Sequence, residues 1–137
     1  MTYQEMITFI TQNPVCTIAT MDGDQPHVRA FLSNIIDEKI YFTTSLEKQV
    51  GVQISKNQKS ELCYLNGDSS VMLRVTTVLE ILDDKVLKQY LIDNRPYLKH
   101  FHVDDPSFIL FTLSHSRARF WRLEDNMKED GLEVLGF

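Results

Sequence analysis

The apolar positions change period within residues 39–57. Ile40, Phe42 and Thr44 alternate with Tyr41 and Thr43, the two-residue period of a strand, whereas Leu46, Val50 and Ile54 recur every four residues, as along one helix face. The pattern predicts a strand that hands over to a helix, with Thr43-Thr44-Ser45 at the junction, Ser45 as the cap and Lys48 in the first turn. Hydroxyls, unpaired backbone N–H groups and the positive end of a helix would together receive an anion there. The same residues also fit a plain capped helix with a solvated lysine.

The rest of the chain reads mostly as strands. Thr2-Tyr3-Gln4-Glu5 has the form of a capping box, and Met6, Phe9 and Ile10 mark one face of a short helix that Asn13-Pro14 ends; it would lid the end of a barrel. Residues 15–20 predict a strand, Asp22-Gly23-Asp24 a tight turn, and residues 25–36 the second strand of a hairpin. On that strand His27, Arg29, Phe31 and Ser33 share one face, and Val28, Ala30 and Leu32 the other. Residues 61–66 and 71–82 predict two more antiparallel strands, the second too long to stay flat without a bulge. Asp83 or Asp84 would cap a helix with Val86, Leu87, Tyr90 and Leu91 as its stripe, and Pro96 would start a short second one. Residues 108–113 are apolar on both faces, as in a central strand, and 118–123 continue with alternating polarity. Short spacing and period-two runs favour a mainly β (α+β) fold, a small closed or split antiparallel barrel.

Length and charge narrow the class. A chain of 137 residues fits one domain, residues 1–137, and its formal net charge of −5 argues against a generic nucleic-acid or anionic-membrane surface. Cys16 and Cys63 sit in apolar strand-like runs without CxxC spacing, which fits buried thiols in a reducing, cytoplasmic setting. No run approaches the roughly 20 apolar residues of a membrane span, and acidic Glu5 stands where a leader would be basic. Dinucleotide, P-loop, zincin and nucleophile-elbow motifs are missing. His100-Phe101-His102 with Asp104 and Asp105 offers metal-ligand types but no preorganised spacing, so it reads as a loop and no metal is assigned. Glu124, Asp125, Glu129 and Asp130 read as a solvated tail.

Several segments come in a distinctive order: residues 17–19 before the Asp22-Gly23-Asp24 turn, Val28-Arg29-Ala30-Phe31, Tyr41-Phe42-Thr43-Thr44-Ser45 with Lys48 and Gln49 and ending at Asn57, then 61–65, then Leu73-Arg74-Val75. In that order and spacing the chain resembles the pyridoxamine 5′-phosphate oxidase-like FMN-binding split-barrel family, especially its small branch with nitroimidazole-resistance proteins. The resemblance covers residues 15–122. It implies a six-stranded antiparallel split barrel, a homodimer, and FMN in clefts at the subunit interface. It further implies that Arg29 and Lys48 approach the FMN phosphate and that Thr43, Thr44 and Ser45 line the cofactor. Their neighbours Ala30, Phe31, Phe42 and Gln49 join the cofactor-binding set. Trp121 falls where the family often places an aromatic near the partner's flavin, although a lone tryptophan in a last strand equally suits a core or interface anchor. Ala30 stands where relatives often have proline, and Thr76-Thr77 where they often have a glycine. The basic and aromatic C-terminal set that grips pyridoxamine phosphate has no match, so pyridoxal phosphate synthesis is not expected. The expected activity is electron transfer by bound FMN from a nicotinamide or other donor to a small organic acceptor. The alternatives are flavin storage without turnover, or a cofactor-free barrel serving as an interaction module.

Overall fold

The computed structural model describes all 137 residues. Its first element, α1 (Tyr3–Gln12), starts at the expected capping box: the Thr2 hydroxyl accepts the Glu5 N–H at 3.1 Å, and the Glu5 carboxylate accepts the Thr2 N–H at 2.7 Å. Met6, Ile7 and Ile10 are buried from this helix, which closes one end of the core. The hairpin β1 (Val15–Asp22) and β2 (Gln25–Leu32) turns at Gly23, whose φ of +60° suits a residue without a Cβ. The second strand does not run on to residue 36. It breaks at Ser33, whose N–H donates to the Pro14 carbonyl at 2.8 Å and whose hydroxyl meets the Tyr64 phenol at 2.9 Å. A separate short strand, β3 (Asn34–Ile36), follows and pairs with β4 (Lys39–Ser45).

After α2 (Gln49–Lys56) come β5 (Lys59–Leu65), β6 (Val71–Leu82), α3 (Lys85–Asn94), β7 (Phe108–Arg122) and β8 (Leu135–Gly136). All pairings are antiparallel, in the order β2-β1-β5-β6-β7-β4-β3, with β8 on the free edge of β7. There are thus eight strands rather than six, but β3 has three residues and β8 two, so the six long ones form the expected barrel. Between β2 and β4 no ladder forms. Side chains bridge that gap instead: the Phe31 ring stands edge-on to Phe42 at 6.1 Å and to Phe111 at 6.0 Å, while Phe42 and Phe111 stack at 5.4 Å.

The long β6 bends where its length requires. Its register with β7 shifts at Thr77, whose hydroxyl meets the Ser116 hydroxyl at 2.9 Å and the Ser114 carbonyl at 3.1 Å; the Thr76-Thr77 pair is therefore compatible with a bulge without glycine. The start of β7 is apolar on both faces because it separates two cores. Ile109 and Phe111 enter the barrel, while Phe108 and Leu110 pack outward against Leu91, Ile92 and Leu98. Asp84 caps α3, accepting the Leu87 N–H at 2.9 Å. The expected stripe is only half right: Val86 is 83% exposed and Tyr90 is exposed, whereas Lys88 is buried with its ammonium 5.8 Å from the Phe108 ring centre. The tail docks. Ser116 and Phe137 exchange both backbone hydrogen bonds, the Phe137 ring packs on Tyr3, and Glu129 pairs with Arg74 in place of lying free in solvent. No helix is long and apolar enough to cross a membrane.

Candidate functional site

At the split between β2 and β4 lies a cleft of about 440 Å³. It gathers Arg29 and Phe31 from β2, Thr43 from β4, Lys48 from the approach to α2, and Tyr97, His100 and Phe101 from the segment after α3. Its 11 lining residues include Arg29, Lys48 and His100 and no acid. In a chain with 19 carboxylate side chains against 14 lysines and arginines, that local excess of positive groups favours an anionic ligand.

Arg29 is held from behind. Its Nη1 donates to the Thr20 hydroxyl at 3.0 Å and to Gln53 Oε1 at 3.1 Å, and Thr20 donates to the same Gln53 oxygen at 2.7 Å. Thr20 and Gln53 are both buried, so the fork is fixed by groups that solvent does not disturb. Nε and Nη2 have no protein partner, which leaves the donors suited to a phosphate edge.

The junction beyond β4 differs from the expected cap. The Ser45 hydroxyl accepts the Glu47 N–H at 3.1 Å, forming a local turn, and α2 begins only at Gln49 with Lys48 as its N-cap. Ser45 is therefore not the cap, and Lys48 precedes the first turn. No side chain caps α2, and its first backbone bond runs from the Val52 N–H to the Lys48 carbonyl, so the N–H groups of the opening turn stay unpaired beside Lys48 and Arg29. The helix packs hard against the strand end: a Cβ on Gly51 would fall 2.1 Å from the Ser45 carbonyl oxygen. Glycine is required there for close approach.

Of the sequence-proposed residues, Arg29, Ala30, Phe31, Thr43 and Lys48 line the cleft. Thr44 and Ser45 are buried and do not line it, and Phe42 is wholly buried in the barrel core, where it supports Phe31 and presents no surface to a ligand. Gln49 lines a neighbouring cavity of about 480 Å³, between the Gly23 turn and α2, which shares Lys48 with the cleft. Trp121 pairs with Met72 at the far end of β7, eleven positions beyond Leu110, the partner of Thr43, so within one chain it does not reach the cleft. Sequence reasoning missed Gln53, Thr20, Tyr97, His100 and Phe101. Gln53 carried a signal, a polar residue among the apolar positions of α2; His100 drew notice only as a metal-ligand type in a loop, and Thr20, Tyr97 and Phe101 carried none. Asp104 pairs with Lys85 at 3.0 Å and Asp105 accepts from Ser107, so neither joins His100.

The fold is thus a split barrel with a basic, acid-free cleft at its opening. A family model described as pyridoxamine 5′-phosphate oxidase matches residues 3–126, and the chain belongs to that family. Among solved structures it is similar to a NimC/NimA family protein from Clostridium acetobutylicum, with 23% identity, 98% of this chain and 93% of that one covered, and a TM-score of 0.80. A general stress FMN/FAD binding protein from Xanthomonas citri has 16% identity, 88% and 87% coverage and a TM-score of 0.66. A heme binding protein from Mycobacterium smegmatis has 16% identity and a TM-score of 0.72, with 98% of this chain and 57% of that one covered. These likenesses concern the fold. No curated protein matches the chain in sequence.

Proposed function

We propose that the protein binds FMN in the cleft between β2 and β4 and works as a homodimeric oxidoreductase, passing electrons from a nicotinamide nucleotide or another donor to a small organic acceptor. The observation that carries this reading is the acid-free cleft with the free Nε and Nη2 of Arg29 beside Lys48 and the uncapped start of α2. Those donors fit a dianionic phosphate, and the ring side chains of Phe31, Tyr97 and Phe101 offer apolar walls in a space within the ~300–1,000 Å³ range of cofactor sites. Bound FMN would supply the two-electron chemistry. The chain's part is to hold the phosphate, orient the ligand and limit access of water. Ala30 and Leu32 belong both to the cleft and to the outer face of β2, so a second copy seated on that face would cover the mouth of the cleft.

A second reading, heme binding, has one observation in its favour, the imidazole of His100 in the cleft, which could ligate iron. The absorption spectrum of the purified protein separates the two. Flavin bands that bleach anaerobically with NADH or NADPH and return with an acceptor are the expected result. Flavin bands that no nicotinamide reduces would favour storage, and a Soret band would favour heme.

A further inference from the structure

We propose that His100 is a third anion-binding side chain of the cleft, joining Arg29 and Lys48 on the phosphate of the ligand; this rests on the reading above that the ligand is phosphorylated. His100 lines the same space as the two cations. Its ring is not adrift, although exposed. It lies 4.3 Å from the Phe101 ring centre at 36°, and Phe101 stacks at 4.7 Å and 15° on Phe108, a buried residue at the start of β7. The ladder of three rings therefore ties the imidazole to the strand that borders β4. Both ring nitrogens are free of hydrogen bonds within the chain. His102, two residues on, behaves otherwise: its Nδ1 accepts the Asp104 N–H at 3.1 Å and its side chain is directed to its own loop. The two carboxylates nearest to His100 in sequence are engaged elsewhere, Asp104 by Lys85 and Asp105 by Ser107. Even a neutral imidazole offers one N–H donor, and a protonated one offers two, so the ring can serve an anion in either state. The pair of histidines that reads as a loop in sequence thus divides into one loop residue and one ligand-facing residue.

The test titrates FMN and riboflavin against wild type, His100→Ala and His100→Lys, with unliganded melting temperatures as a check on folding. His100→Ala should weaken FMN binding about tenfold and leave riboflavin unchanged, and His100→Lys should recover most of the loss. Unchanged FMN affinity in His100→Ala overturns the proposal. So does an equal loss for FMN and riboflavin, which would make His100 a wall for the ring system. If wild type binds neither flavin, the functional reading fails on its own, and inorganic pyrophosphate becomes the probe. A thermal stabilisation by pyrophosphate that His100→Ala loses supports the anion site, and its absence from wild type overturns it.

Discussion

Arg29 has a divided guanidinium. One nitrogen is tied to Thr20 and Gln53, which sets the plane of the fork, and the other two have no partner within the chain in a residue that lines the cleft. Lys48 reaches the same space from the N-cap of α2, without a carboxylate partner. Hydrogen bonds to charged groups contribute roughly 1.5–3 kcal/mol each, so Arg29→Ala or Lys48→Ala should weaken FMN binding by about one to two orders of magnitude. Riboflavin, which lacks the phosphate, should bind wild type weakly and both variants about equally. Fluorescence titration of the two flavins checks this, and unchanged FMN affinity in both variants would refute the placement. The phosphate role given to Arg29 came from the family resemblance, and its place beside Phe31 on a mixed strand face was legible. Its backing by Gln53 was not, since that contact joins residues 24 apart across two elements.

At the scale of elements, the change of period within residues 39–57 was legible, and β4 and α2 both form. Where the helix starts was not, because Ser45 has two uses for its hydroxyl and a turn at Glu47 takes it. The stripe of α3 was misread because Lys88 is buried with its ammonium over the Phe108 ring and so takes a position in the packed face that Val86 leaves. Residues 97–101 had no periodic signal at all, and only the fold brings them opposite β2. The seam between β1 and β5 carries a prediction of its own. Cys16 pairs with Tyr64, whose phenol meets Ser33 at the point where β2 gives way to β3. Burial pushes the Cys16 thiol up to about 11 and raises the Tyr64 phenol well above its ordinary value. Both hold their protons in the folded chain after the unfolded chain has begun to lose them, at about 8.5 for cysteine and 10 for tyrosine. Their contribution is thus complete below about pH 8.5 and is lost as pH rises towards 11. Urea midpoints should fall steadily between about pH 8.5 and 10.5, and Cys16→Ala should remove part of that slope. A flat profile in the wild type would mean that the thiol is not sealed.

The outer face of the sheet carries apolar residues that one chain leaves exposed, and the tail reaches that face through Glu129. Strand register sets it in rows. Leu32 pairs with Val15, the pairing of Cys16 with Tyr64 brings Val15 beside Leu65, Leu65 pairs with Met72, and Met72 with Trp121. Val15, Leu32 and Leu65 are exposed, as is Val28, at 65%, two rows away. The next row holds Ala30, Thr17, Cys63, Arg74 and Arg119, with Arg74 already paired to Glu61 and Glu129. An apolar row beside internally neutralised charge suits a two-fold contact better than it suits water. Phe31 adds nothing to this face, since its ring packs against Phe42 and Phe111 within one chain. The face runs to Ala30 and Leu32 at the rim of the cleft, so the same contact that buries the row would bring a second copy, and its equivalent of Trp121, towards the ligand. A stable contact of this kind should bury more than about 2,000 Å² in total. Sedimentation at micromolar concentration should therefore give a two-chain mass. Leu65→Arg, in the middle of the row, should give a folded monomer with much weaker FMN binding, although residue 65 does not line the cleft. A wild-type monomer that binds FMN at full affinity would separate the site from the face and end the argument for a shared one.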